Sequence, residues 1–176
     1  DPFNIEQVEI IKGPSSAFTG RGSTGGSINI VTKRPNEKNS IAGDLTVGSG
    51  WTKRATADVN QKVSDTVAVR LNAMIHDGEI PGRDEVEQKR WGVAPSVTFG
   101  LGRPTQLTLS YYHLQGEGVP DYGHPFDPRT GKPIAVDRDN FYGLLARDFQ
   151  EYQVDTAAAE FTHDFTDTTK FRTRVQ

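Results

Sequence analysis

Gly20-Arg21-Gly22-Ser23-Thr24-Gly25 has the G-x-G-x-x-G spacing with which a loop brings backbone N–H groups against a pyrophosphate. That chemistry also needs a helix opening from the loop, so that its N-terminus faces the phosphates. Here Ser27-Ile28-Asn29-Ile30-Val31-Thr32 follows, a β-branched run that reads as a strand, and the glycines are read as an ordinary loop. The histidines, His76, His113, His124 and His163, form no i, i+4 pair and no metal-ligand spacing. Asp137-Arg138-Asp139-Asn140 lacks the further oxygen ligands and the glycine of a calcium loop. Glu117, Asp121 and Asp127 are carboxylates of the kind a glycosidase pairs across its substrate, but nothing in their spacing places two of them that way. With no G-x-S-x-G, no credible triad and no cysteine, the sequence points away from an enzyme and from a directly bound cofactor or metal.

The elements that position these residues belong to a chain of 176 residues, the length of one domain or one and a fraction. Its net charge of −3 gives no reason to expect a nucleic-acid partner. Hydrophobic residues make up 34%, with 18 Gly and 10 Pro, too few apolar and too many breaking residues for a helical core. No run approaches the ~18 apolar residues of a membrane-spanning helix, which leaves a membrane β-barrel open, since its strands are apolar only at alternate positions.

Residues 1–35 read as a small α/β piece. A strand around Val8-Glu9-Ile10-Ile11-Lys12 ends at Gly13-Pro14, a turn of helix follows over 15–19, then a loop over 20–26 and a second strand over 27–32. A polar stretch, 33–39, follows. Beyond it one alternating strand succeeds another. Ala55, Ala57, Val59 and Val63 alternate with Arg54, Thr56, Asp58, Asn60 and Lys62; Val67, Val69, Leu71, Ala73 and Ile75 alternate with Arg70, Asn72 and His76. The pattern continues over 90–99 and 107–111, and less cleanly over 41–47 and 157–165, giving six strands and the start of a seventh from Thr169. Connections at 64–66, 100–105 and 166–168 are tight, whereas 77–88 and 116–151 are long and 48–51 falls on the long side. Short turns at one end and long loops at the other are the asymmetry of outer-membrane barrels. A soluble β-sandwich also alternates, but the small Ala55, Ala57 and Ala73 would fill its core poorly. Trp91, Phe99, Phe165 and Phe171 near strand ends suit a membrane interface.

The run IEQVEIIKGPSSAFTGRGSTGGSINIVTKRP, residues 5–35, resembles the C-terminal part of the plug domain of TonB-dependent outer-membrane receptors. Val8-Glu9-Ile10, Lys12-Gly13-Pro14, Gly20, Gly25-Gly26 and Asn29 to Lys33 match that family's pattern in order. Tyr122-Gly-His-Pro-Phe126, Thr130-Gly-Lys-Pro133 and Val136-Asp-Arg-Asp-Asn-Phe-Tyr-Gly143 resemble its catecholate-siderophore branch. The resemblance implies a mainly β fold: a partial α/β plug, 1–35, a linker, 36–39, and the first antiparallel strands of a transmembrane β-barrel, 40–176. The family barrel has about 22 strands, so the chain would be a fragment that lacks the TonB box and first plug half and cannot close alone. The implied function is energy-coupled import of a ferric siderophore across the bacterial outer membrane. Iron would be cargo within the ligand, the partners the TonB–ExbB–ExbD complex and outer-membrane lipid, and the full-length receptor a monomer. Haem, cobalamin or a glycan on the same fold, or a passive pore, are the rival readings.

From strand direction and this resemblance, Arg54 and Arg90 point into the lumen near its top, where they could meet an anionic ferric catecholate. Lys62 and Arg70 point inward near the bottom as ion-pair partners of plug residues Glu6 or Glu9. On the plug apex, Thr19 and Arg21 are ligand candidates, although relatives place an aromatic residue at the position of Thr19. In the long loop, Arg138 with Tyr142 is the candidate pair for an anionic, flat-faced ligand. Attraction there must be local, because residues 116–151 carry seven acids against four bases.

Overall fold

The computed structural model describes residues 1–13 and 25–176. The Asp1 carboxylate caps a 3-10 turn, Pro2–Asn4, by accepting from the Phe3 N–H at 3.2 Å, and Pro2 supplies the fixed φ that suits a first helical position. Strands β1 (Ile5–Lys12) and β2 (Gly26–Thr32) then form an antiparallel hairpin in which Ile5 lies opposite Thr32 and Lys12 opposite Gly26. The helical turn expected over 15–19 lies outside the described residues, as do Thr19 and Arg21.

The rest of the chain is a meander. Strands β3 (Ser40–Val47), β4 (Lys53–Lys62), β5 (Val67–Glu79), β6 (Glu87–Phe99) and β7 (Thr105–Gly118) follow one another. A short ladder, β8 (Phe126–Asp127) with β9 (Lys132–Pro133), sits within the longest loop. Strands β10 (Gln150–Thr166) and β11 (Thr169–Val175) complete a seven-stranded sheet in the order β11-β10-β7-β6-β5-β4-β3, each strand antiparallel to its neighbour. The turns at 63–66, 100–104 and 167–168 share one end, and the loops at 48–52, 80–86 and 119–149 share the other. In the 100–104 turn both Gly100 and Gly102 hold positive φ, 73° and 71°, where a side chain would be strained.

The strands are longer than the alternation indicates. Residues 77–79, 87–89, 116–118 and 150–151 belong to ladders rather than loops. Their outward side chains, Asp77, Glu79, Glu87, Lys89, Glu117 and Glu151, are charged, so the hydrophobic signal stops while the backbone pairing continues. The outward apolar run gives way at Tyr111, His113 and Asp155, which hydrogen-bond to one another on that face, His113 Nδ1 and Asp155 Oδ1 lying 2.7 Å apart.

Burial separates the two faces in the sense opposite to a soluble sandwich. On β5 the side chains turned toward the hairpin, Ala68, Asn72 and Met74, are buried, while outward Val69, Leu71 and Ile75 are 39%, 46% and 63% exposed. A sheet with polar and small residues within and apolar residues without needs an apolar medium around it. Trp91, Phe99, Phe165 and Phe171 all lie among the exposed rings. Among the described residues no helix is long and apolar enough to cross a membrane.

Candidate functional site

Among the described residues, and besides the outward Tyr111–His113–Asp155 cluster, two assemblies bring charged and aromatic residues together: the foot of the hairpin on the inner wall, and a knot between loops at the long-loop end.

At the foot, the 3-10 turn sets Phe3 into the sheet. Phe3 is 6% exposed and packs with Met74, Ala94 and Leu114, with Tyr112 stacked on it at 5.5 Å and Tyr152 alongside. Gly92 makes this seat possible, because a Cβ there would stand 3.0 Å from the Phe3 ring. Beside it the Asp1 carboxylate is almost fully buried and takes a two-pronged contact from Arg54, at 2.7 and 3.0 Å, and a contact from Arg90 Nε at 3.1 Å. Asn72 Nδ2 donates to Asn4 Oδ1 at 3.2 Å. Arg54, His76 and Arg90 occupy one row of the sheet, which is why a single carboxylate serves both arginines.

The other strand of the hairpin is fixed just beyond its end at Thr32. Lys33 Nζ lies 2.9 Å from Asp58, which also receives Arg70 Nε and Nη2, each at 2.8 Å. Arg70 Nη1 donates to the Arg34 carbonyl at 2.9 Å. Glu160 gathers Arg34, at 2.5 and 2.9 Å, and Arg172, at 2.8 Å. The stretch 36–39 is held along the wall: buried Asn60 donates to the Asn36 and Lys38 carbonyls at 3.0 and 2.7 Å and accepts from the Asn36 N–H at 3.1 Å.

Of the residues singled out in the sequence, Arg54 and Arg90 face inward, and their guanidinium groups meet the Asp1 carboxylate. Arg70 and Glu6 come together at 3.5 Å, although the closer partner of Arg70 is Asp58. Glu9 and Lys62 are not brought together. Glu9 accepts from Gln7 and Asn29 within the hairpin, and the Lys62 backbone N–H donates to Asn39. Asp1, Phe3, Asp58 and Glu160 were missed. The inward parity of 58 and 160 was visible in the alternation; the docking of Asp1 and Phe3 was not, since it depends on where the turn lands.

At the long-loop end, Arg83 of the 80–86 loop reaches into the 119–149 loop. Its Nε and Nη2 hold both Asp121 oxygens at 2.7 Å, and Nη1 donates to the Arg138 carbonyl at 2.7 Å and lies 2.5 Å from His124 Nε2. The Asp84 N–H donates to the Asp139 carbonyl at 2.7 Å, and the Gly123 N–H to Asp121 at 2.8 Å. The Arg83 guanidinium, and after it the Gly123 N–H, holds the Asp121 carboxyl below the usual carboxylate range, and Asp121 in turn raises Arg83. Tyr142 stands edge-on to His124 at 5.6 Å, so Arg138 and Tyr142 meet around the same histidine. Arg129 pairs with Asp127 and Arg147 with Asp148, whereas the Arg138 guanidinium has no hydrogen bond or ion pair among the described residues.

No family model matches the chain. A probable TonB-dependent receptor, BfrD of Bordetella pertussis, is 45% identical over 93% of the chain and 23% of its own length. The catecholate siderophore receptor Fiu of Escherichia coli K12 is 44% identical over 98% of the chain and 24% of its own length. Among solved structures, the open form of the Fiu ferric-catecholate import receptor superposes with a TM-score of 0.90 at 42% identity, over 99% of this chain and 28% of that one. The siderophore receptor PiuA of Acinetobacter baumannii gives 0.89 at 37%, over 98% and 26%. The chain thus spans about a quarter of the length of the relatives it matches.

Proposed function

The chain belongs, as a segment, to the TonB-dependent receptors of the bacterial outer membrane, and on that premise we propose that the whole receptor binds a ferric siderophore of the catecholate type outside the cell and imports it with energy delivered by the TonB–ExbB–ExbD complex. Residues 1–35 are the end of the plug, 36–39 its link to the wall, and 40–176 the opening strands of the barrel. The observation that carries this reading is the hairpin, ion-paired through the residues that flank both its feet to the inner face of a sheet whose outer face is apolar. A passive pore has no use for such an obstruction, and a receptor worked from the inner side does. The catecholate branch is supported by the name of the relative that is 44% identical over nearly the whole chain.

The cargo is anionic and presents flat aromatic faces. Guanidinium groups suit its oxygens and phenol rings its faces. Arg138 and Tyr142 at the loop mouth and Thr19 and Arg21 on the plug apex are the side chains proposed to meet it. Arg54 and Arg90, both ion-paired to Asp1, become free for an anion only if the foot of the hairpin leaves the wall.

The test is uptake of radiolabelled iron by iron-starved cells whose only receptor is the full-length protein, from catecholate, hydroxamate and haem sources, with coupling intact and then disabled. Catecholate-dependent uptake that vanishes without coupling is the expected result. Coupled uptake from another source alone would remove the catecholate assignment, and uptake indifferent to coupling would remove the mechanism.

A further inference from the structure

The loop knot has a feature that simple attraction of an anion does not require. Arg83 lies where an anionic ligand would arrive, yet its donors are already spent. Nε and Nη2 hold Asp121, and Nη1 is shared between the Arg138 carbonyl and the His124 ring. A guanidinium so engaged, with its side chain only 12% exposed, has little left to offer a ligand. What it does is join two loops. Its own loop, 80–86, contributes one further tie, from the Asp84 N–H to the Asp139 carbonyl, and all the other partners belong to the 119–149 loop.

Two residues of the 119–149 loop stand at this joint, Arg138 and Tyr142, the latter with its hydroxyl accepting from Asn140 Nδ2 at 3.4 Å. Arg138 gives its carbonyl to Arg83 and keeps its guanidinium uncommitted among the described residues. Its neighbour Asp137 is turned back to the Asp139 N–H at 3.1 Å rather than onto Arg138. Tyr142 is positioned through His124, whose ring it meets edge-on and whose Nε2 lies 3.0 Å from the Arg138 carbonyl. Asp121, a carboxylate that would repel an anion, is paired with the same guanidinium. One arginine therefore fixes the backbone of the second, orients the ring beside it and pairs with the Asp121 carboxylate between the loops.

We infer that Arg83 is a positioning residue for the external binding site, tying the 80–86 and 119–149 loops into one platform that presents the Arg138 guanidinium and the Tyr142 ring to an anionic aromatic chelate. This rests on the proposed siderophore-binding function. Lysine cannot replace Arg83, because a single ammonium cannot span the Asp121 carboxylate, the Arg138 carbonyl and the imidazole together.

The experiment uses the full-length receptor and iron(III) tris-catecholate as the probe, with affinity read by fluorescence quenching and uptake by radiolabelled iron. Arg83→Gln and Arg83→Lys are expected to weaken binding by about the same factor, on the order of tenfold, and to raise the half-saturating concentration for uptake with the maximal rate unchanged. Arg138→Gln is expected to cost about tenfold alone and less than about twofold in the Arg83→Gln background, since the platform is then already lost. Asp121→Asn, which leaves Arg83 in place but removes its main anchor, should reproduce part of the loss and guards against a folding defect peculiar to position 83. Full rescue by lysine would overturn the inference in favour of plain charge attraction, and additive losses at 83 and 138 would overturn it in favour of independent contacts. In both cases the siderophore reading would stand. A wild-type receptor that does not bind iron(III) tris-catecholate would instead defeat the reading on which the inference rests.

Discussion

The foot of the hairpin and the loop knot use the same chemistry, an arginine fork closed on a carboxylate, but the carboxylate is buried in the first and partly exposed in the second. At the foot the Asp1 carboxylate is 2% exposed and sits beside an aromatic seat, so losing it would leave Arg54 and Arg90 without the buried partner they share. In the knot the Asp121 side chain is 29% exposed, and water and salt screen the pair. The first arrangement holds a domain in place. The second holds a geometry at little cost in stability, which suits the ligand-binding surface proposed for it.

Substitutions in the full-length receptor would sharpen or break this contrast, and the largest effect belongs to the foot. Phe3→Ala should remove about 3–5 kcal/mol from docking of the hairpin. Hydrogen exchange at the amides of 5–12 and 26–32 should rise accordingly, and unchanged protection would show that the aromatic seat is not what holds it. Asp1→Asn should cost about 2–3 kcal/mol by the same measurement, because Arg54 and Arg90 lose their shared partner. Glu160→Gln should cost less, about 1 kcal/mol, since Arg34 and Arg172 are open enough to solvent to find water instead.

The smallest effect on stability belongs to the knot. Asp121→Asn should leave global unfolding in denaturant unchanged while weakening ligand binding, and a clear fall in the unfolding midpoint would erase the distinction between the two regions. Its pH dependence follows from the lowered Asp121 pKa. A carboxyl lowered in the folded state contributes fully above its unfolded value and loses that contribution as pH falls through the lowered one. Arg83, His124, Asp84 and Asp139 face it from the two loops, so loop protection should hold through the carboxyl's share of the range down to about pH 4 and fade below it. Loop amides whose protection is indifferent to pH between 5 and 2 would contradict this.

Much of the wall was legible from alternation, because one face of each strand is apolar for as long as it crosses an apolar layer. Val69, Leu71 and Ile75 mark that layer on β5, and Asn60, Asn72 and Arg70 mark the inner face. The signal stopped at Asp77 and Glu117, where both faces meet water, although the ladders run on, and this is why the loops looked longer than they are. Arg70 was readable as a plug contact from its inward parity and height, but its main partner, Asp58, lies across the strand pair rather than on the plug. The Phe3 seat could not be read, since it joins residues 3, 74, 92 and 114 through the landing point of a turn. Arg83 carried no periodic signal at all, lying in a loop whose order comes from its contacts alone.

The two feet of the hairpin stand side by side, Ile5 opposite Thr32, with Asp1 and Phe3 bolted to the wall just before one foot and Lys33 and Arg34 just after the other. A load entering at Asp1 would therefore strike its own bolt first, with the second bolt carrying almost none of it. The hairpin would peel, one row of bonds at a time, and the Asn60 strap would keep the far end tethered to the barrel while it did so. Peeling needs a far smaller peak force than lifting the piece in bulk, and a part that comes away on a tether can be returned to the same seat after every cycle.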